Sequence, residues 1–169
     1  MTTTLGVLPN KRGQRSLSGS LDIETSPESA FSLICAVEKW PVWLSFLRSA
    51  VCAEPSVPIA LGTEVIVRSI IPGEAEQRYE VDQYISNHHL SLVGAFSVRR
   101  RIDFRIERKT SRAKVHVRVD YPAYHGWIGT LHDRLTAGRK LSVLLDDSLQ
   151  HFKGLVEFEN RSDAVLADF

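Results

Sequence analysis

From Arg15 to Glu24 the chain alternates, with Leu17, Gly19, Leu21 and Ile23 against Ser16, Ser18, Ser20 and Asp22. That period of two is the mark of a half-buried strand. Six later stretches, 50–54, 63–71, 75–85, 89–97, 98–109 and 112–121, alternate likewise or are rich in β-branched residues. Pro72-Gly73, Ser86-Asn87-His88 and Thr110-Ser111 supply turn chemistry between them. Short links make antiparallel neighbours, so the pattern predicts one strongly bent meander of about seven strands.

Two stretches keep the helical period instead. Ser26-Pro27-Glu28 combines a capping hydroxyl, a proline suited to the first turn and an acid at the positive end of the helix dipole. Ala30, Phe31, Ile34 and Val37 form the buried stripe of that helix. Pro41 is expected to interrupt it, so that a second short helix with Trp43, Leu44, Phe46 and Leu47 leaves at an angle. The other stretch, Thr130 to Glu159, puts Leu131, Leu135, Leu145, Leu149, Phe152 and Val156 on one face of a long amphipathic helix. Thr130 and Asp133 can close a capping box at its start. Gly138 and Ser142 fall on the same face and leave it a notch.

Alternation also sorts the strand residues by face. Ala113, Val115, Val117, Val119 and Tyr121 share one side of the last strand, and Ile102, Phe104 and Ile106 one side of the strand before it. Tyr79, Val81, Gln83 and Ile85 are assigned inward from the 75–85 strand, with Leu90, Leu92 and Phe96 from the next. The concave apolar face so formed needs a cover, and the final helix is the one element long and apolar enough to supply it.

Composition narrows the class. A chain of 169 residues, 43% hydrophobic, is expected to form one domain at 15–159, with a flexible arm at 1–14 and a short tail at 160–169. A formal net charge of +1 argues against a general nucleic-acid binder. No run approaches the ~20 apolar residues needed to cross a bilayer, and 1–14 lacks the apolar core of a signal peptide. The expectation is a soluble, cytoplasmic protein without stable membrane insertion, monomeric or homodimeric.

The element order carries a resemblance. Ile23-Glu24-Thr25-Ser26-Pro27-Glu28-Ser29-Ala30-Phe31 matches a strand followed by a Ser-Pro-Glu helix start, and Val37-Glu38-Lys39-Trp40-Pro41-Val42-Trp43 a Trp-Pro-x-Trp segment. Leu61-Gly62-Thr63 and the closing Leu149-Gln150-His151-Phe152-Lys153-Gly154-Leu155-Val156-Glu157 add to it. Over roughly Ser16 to Glu159 the chain resembles the START-like (SRPBCC, helix-grip) superfamily, and more specifically the polyketide cyclase/dehydrase and lipid-transport group of small bacterial proteins. The resemblance implies an α+β helix-grip fold, in which a curved antiparallel sheet wraps a long C-terminal helix and two short helices follow the first strand. It also implies a cavity for a hydrophobic small molecule between sheet and helix. Lipid carriers, hormone-binding proteins and polyketide aromatases share this fold, so fold alone does not choose among them.

Candidate ligand-lining residues are Trp43, Ser69, Tyr79, Val81, Gln83, Leu92, Phe104, Val117, Tyr121, Trp127, Leu135, Gly138, Ser142 and Leu145. Carriage or sensing of a lipid, polyketide or aromatic compound needs no catalytic residue. The alternative is a cyclase, aromatase or dehydratase in which Ser69, Tyr79, Gln83, Tyr121, Arg100 or Ser142 polarises carbonyl oxygens of a poly-ketone. Taken singly, Tyr79 and Tyr121 read first as large core residues with a hydroxyl directed to solvent or backbone. The aromatic, Gly-rich link at 121–129, with Tyr124, His125 and Trp127, reads equally as a gate and as a packed connection.

Other chemistry is weakly represented. His88, His89, His116, His132 and His151 show no zinc-site spacing, so neither metal nor cofactor is expected. Cys35 and Cys52 read as two buried thiols without a histidine partner. The basic run Arg99-Arg100-Arg101, continued by Arg105, Arg108, Lys109, Arg112, Lys114 and Arg118, faces mostly outward. Glu76, Glu80 and Asp82 face the same way, so cross-strand ion pairing and solubility account for it first, with contact to an anionic membrane or an acidic protein as the lesser alternative.

Overall fold

In a computed structural model, residues 6–10, 14–70, 76–110, 112–122 and 138–167 are described. The strands are β1 (Gly6–Asn10), β2 (Gln14–Ile23), β3 (Leu47–Cys52), β4 (Glu64–Ser69), β5 (Glu76–Ile85), β6 (His89–Gly94), β7 (Ser97–Lys109) and β8 (Arg112–Pro122). Helices α1 (Pro27–Cys35) and α2 (Trp40–Trp43), joined by a 3-10 turn at Val37–Lys39, lie between β2 and β3, and α3 (Gly138–Ala167) closes the chain. One antiparallel sheet results, in the order β1-β2-β8-β7-β6-β5-β4-β3.

Two features of this order differ from a simple seven-stranded meander. β3 to β8 follow one another as a meander; β2 joins its far side by pairing with β8, from Gln14↔Pro122 to Ile23↔Ala113. The eighth strand, β1, comes from the stretch read as a flexible arm. It pairs with β2 from Gly6↔Ser18 to Asn10↔Gln14, because β2 would otherwise present an unpaired backbone edge, a requirement that side-chain periodicity does not reveal.

Ser26 caps α1 as its sequence predicts, its Oγ accepting the Ser29 N–H at 3.1 Å. The break after α1 does not fall at Pro41. It falls at Ala36 (φ −78°, ψ 75°), and Pro41 lies in the first turn of α2, where its missing N–H costs no hydrogen bond. Phe46 and Leu47 consequently belong to the turn into β3 and to β3 itself. Between β5 and β6 the chain reverses through Asn87, whose φ of 59° is a left-handed conformation that Asn tolerates better than most residues.

The core lies between the concave face and the helices. Ile23, Val65, Val81, Leu90, Leu92, Phe104, Ile106 and Ala113 from the sheet meet Ile34, Trp40, Trp43 and Leu44 from the short helices and Leu145, Leu149, Phe152 and Val156 from α3. The spacing of those four α3 residues is the predicted helical stripe. Its expected members Leu131 and Leu135, the Thr130–Asp133 capping box and the Pro72-Gly73 turn lie outside the described residues. At its other end α3 runs on to Ala167, through most of the stretch assigned to a tail.

Candidate functional site

Two elements set the geometry of the inner face. Trp40 is fixed by its indole Nε1, which donates to the Ile34 carbonyl at 2.8 Å, and its ring packs on Phe104 with centroids 5.5 Å apart. Trp43, one turn on, meets Phe104 at 6.0 Å and Phe152 of α3 at 4.8 Å, both edge to face. Just beyond, Ser148 of α3 clamps the end of α2: its Oγ accepts the Ser45 N–H at 2.9 Å and donates to the Leu144 carbonyl at 2.6 Å. Helix, short helices and sheet are thereby locked at one shared aromatic cluster.

Burial along this face is graded. On β8, Ala113, Val115 and Val117 are buried, whereas Val119 and Tyr121 are only half-buried. On α3, Val156, Phe152, Leu149 and Leu145 are buried and Ser142 is half-buried. Among the described residues the inner face is therefore fully buried where α1 crosses it and half-buried at Val119, Tyr121 and Ser142.

Most of the candidate lining residues that the structure describes share this face. Trp43, Val81, Leu92, Phe104, Val117 and Leu145 belong to one buried cluster, Tyr79 is buried with them, and Tyr121 packs against its edge. Ser142, half-buried, stands on the first described turns of α3. Ser69 also faces in, but its Oγ donates to the Phe46 carbonyl at 3.2 Å and so ties β4 to the link before β3. Gly138 is the first residue of α3 in the structure, while Trp127 and Leu135 lie outside the described residues.

Gln83 is misassigned by alternation. The ladder between β5 and β6 shifts register between Val81 and Gln83, so Val81 pairs with Leu92 but Gln83 with Ser91. A bulge of this kind inverts the facing of every later residue in the strand. Gln83 is exposed on the outer side, Ile85 is exposed as well, and Tyr84 is the residue turned toward α1, its ring 5.6 Å from Phe31. The signal was present as a spacing that changes from two to three in Tyr79, Val81, Tyr84. Phe96, also assigned inward, is 89% exposed in the turn between β6 and β7, beyond a second register shift at Val93/Gly94.

The outer face is a separate surface. A groove of about 840 Å³ crosses it, lined by Ser18, Ser20, Gln83, Arg101, Asp103, Arg105, Glu107, Lys114, His116, Arg118 and Asp120. Most of its charges are already answered. Arg101 holds Asp82 through two nitrogens, at 2.6 and 3.2 Å, and donates to Ser91 Oγ at 2.6 Å. Arg118 holds Asp120 at 2.9 Å, whereas His116 Nε2, 3.2 Å from Glu107 Oε1, makes no hydrogen bond. Buried among them, His89 Nε2 lies 2.9 Å from Asp103 Oδ2, while Arg105 takes Oδ1 at 3.0 Å. A carboxylate only accepts, so Nε2 carries the proton in this pair. The two residues sit on neighbouring strands, and the turn-like appearance of His88-His89 in the sequence concealed the pairing.

The thiols show no sign of activation. Cys35 and Cys52 are free and border one recess of about 280 Å³ with Glu38 and residues 55–59. Burial pushes the Cys35 thiol up to about 11, against a smaller opposing effect of its hydrogen bond with Tyr84. Burial, and then the charge of Glu38, raise Cys52 as well. Among the described residues no three His, Cys, Asp or Glu side chains gather as metal ligands would, and no helix is long and apolar enough to cross a membrane.

With this geometry, solved structures match along nearly the whole chain. A START superfamily protein from Mycobacterium smegmatis aligns with a TM-score of 0.62 at 16% identity, over 84% of this chain and 97% of its own. The chain has a START-like, helix-grip fold. The KanY protein gives a TM-score of 0.66 at 17% identity over 86% of this chain and 99% of its own. The di-domain ARO/CYC StfQ from the steffimycin biosynthetic pathway gives 0.64 at 13% identity, over 86% of this chain and 52% of that longer one. No protein-family model and no curated protein matches the sequence. In that fold the curved sheet is the grip and α3 the gripped helix.

Proposed function

We propose that the protein binds a hydrophobic small molecule (a lipid, polyketide or aromatic compound) between the curved sheet and α3, and acts as its carrier or sensor. The graded inner face carries this reading. It is mainly apolar, packed on Trp40, Trp43 and Phe104 at its depth, and only half-buried at Val119, Tyr121 and Ser142. Burying about 300 Å² of apolar ligand there is worth roughly 7 kcal/mol gross before association costs. That suffices for uptake without a reactive group. The START superfamily neighbour and the aromatase/cyclase neighbour are built on the same frame.

The second reading, a cyclase, aromatase or dehydratase, is favoured by the StfQ match alone. Tyr79 and Tyr121 are the inner-face hydroxyls through which it would act. Native mass spectrometry of the protein as purified from cells tests the first reading. A co-purifying apolar molecule supports it; an empty protein that gains no thermal stability from lipids, polyketides or aromatic compounds overturns both. With a bound ligand in hand, Tyr79→Phe and Tyr121→Phe leave affinity nearly intact in a carrier and depress turnover in an enzyme.

A further inference from the structure

The ion pairs of the outer groove answer charge but not hydrogen-bonding capacity. Asp103 of β7 stands directly opposite Arg118 of β8, and Arg101 opposite Asp120, the placements from which cross-strand pairs form. Neither pair is made. Arg118 turns along its own strand to Asp120, Arg105 turns along its own to Asp103, and Arg101 reaches away to Asp82. Arg101 spends both terminal nitrogens in doing so, on Asp82 and Ser91. Arg105 and Arg118 spend only Nε, at 3.0 and 2.9 Å, so among the described residues neither Nη1 nor Nη2 of either guanidinium has a hydrogen-bond partner.

Two forks built alike therefore open into one groove. Arg105 pairs across the ladder with His116, two residues from Arg118, which makes the arginines diagonal neighbours rooted ~7–8 Å apart. Because β7 and β8 run antiparallel, the turn from 105 toward 103 and the turn from 118 toward 120 point the same way, and the guanidiniums stay side by side. Their aspartates are fixed: Asp103 and Asp120 are 8% and 6% exposed, and His89 holds Asp103 from its other oxygen. The arginine side chains are 60% and 51% exposed, so their unspent edges are within reach of a solute. We propose that the groove is a second binding site, in which the Nη edges of Arg105 and Arg118 hold the phosphate group of a small soluble phosphate ester. A phosphate monoester brings three terminal oxygens and a charge of about −2, enough to engage both forks, whereas a carboxylate fills one. Val117, the apolar side chain among the described lining residues, is 1% exposed, so the groove lacks the apolar surface that a lipid membrane would engage. The site lies on the face opposite the proposed cavity and does not depend on it.

Phenyl phosphate, titrated into the full chain by calorimetry at fixed ionic strength, tests this. Wild type binds it saturably, and Arg105→Lys and Arg118→Lys, which keep the charge but lose the fork, each weaken it by about fivefold or more. Lys114 lines the same groove four residues from Arg118, ~13 Å along the strand, so Lys114→Met removes a cation but changes affinity by less than about twofold. In wild-type protein with ¹⁵N-labelled arginine, the guanidinium signals of Arg105 and Arg118, assigned from the two variants, shift with phenyl phosphate and stay in place with phenol. That readout needs only the folded wild type. No saturable binding, a loss in Lys114→Met as large as in the arginine variants, or no shift at either arginine overturns the site, and each leaves the inner-face reading untouched.

Discussion

Phe152 of α3 meets Trp43 of α2 edge to face, with ring centroids 4.8 Å apart and planes at 68°. The contact couples the last element of the chain to the short helices near its start, and both side chains are fully buried. Phe152→Ala removes the larger part of α3's grip at that point and is expected to cost about 3–5 kcal/mol, the usual range for deleting a buried phenylalanine. Urea unfolding of variant and wild type measures it.

A polar clamp lies beside this contact. Ser148 Oγ is the acceptor for the Ser45 N–H, so Ser148→Ala strands a partly buried donor and loosens α2 from α3. A destabilisation of roughly 1–2 kcal/mol is expected, with the helical content of the folded protein unchanged by circular dichroism.

On the outer face, Asp103 carries the heaviest polar load, accepting from His89 and from Arg105 while itself 8% exposed. Asp103→Ala removes the carboxylate and leaves the His89 ring buried without its partner. A loss of about 3 kcal/mol is expected. Because the site proposed for the hydrophobic ligand lies on the opposite face of the sheet, its uptake measured below the unfolding transition should not change.

Cys35 makes a prediction about alkaline pH. Its thiol titrates near 9.0 when unperturbed and near 11 in the folded protein, so the unfolded chain gives up this proton first. Stability attributable to Cys35 is therefore intact below pH 9 and declines as pH rises toward 11. Comparing Cys35→Ser with wild type by urea unfolding at pH 8 and at pH 10.5 isolates the effect: wild type loses more stability than the variant between the two. At pH 7.5 native Cys35 should react with iodoacetamide far more slowly than in urea.

The bulge in β5 separates two neighbouring residues by function. Gln83 is exposed on the outer face and Tyr84 turns toward Phe31. Gln83→Ala should fall within about 0.5 kcal/mol of wild type and retain ligand uptake, whereas Tyr84→Ala loses the ring contact and is destabilised by at least 1 kcal/mol.

These residues mark what one chain of letters can show. Strict alternation in β7 and β8 assigned Phe104, Ile106, Val115 and Val117 to the core, and helical spacing assigned Leu145, Leu149, Phe152 and Val156, because side-chain period and burial are linked by geometry. The facing of Gln83 and Ile85 was lost at a bulge, since one extra residue inverts the parity on which that reading depends. The pairing of His89 with Asp103, fourteen positions apart, and the buried, unpartnered indole nitrogen of Trp43 were not legible at all. Both depend on where strands and helices are brought together, and neither residue's immediate neighbours in the sequence carry that information.

The union of β2 with β8 bears on how the protein is made. Ile23 waits for Ala113, 90 residues downstream, before its ladder can form. At a synthesis rate of ~5–20 residues per second, that interval is roughly 5–20 s. Through it the apolar row Leu17, Leu21 and Ile23 has neither β8 beside it nor the α3 residues that later cover it, while β3 to β7 are already able to zip together as local hairpins. The nascent domain thus passes through a half-sheet with its inner face bare, and sealing waits for β8 and α3 to leave the ribosome.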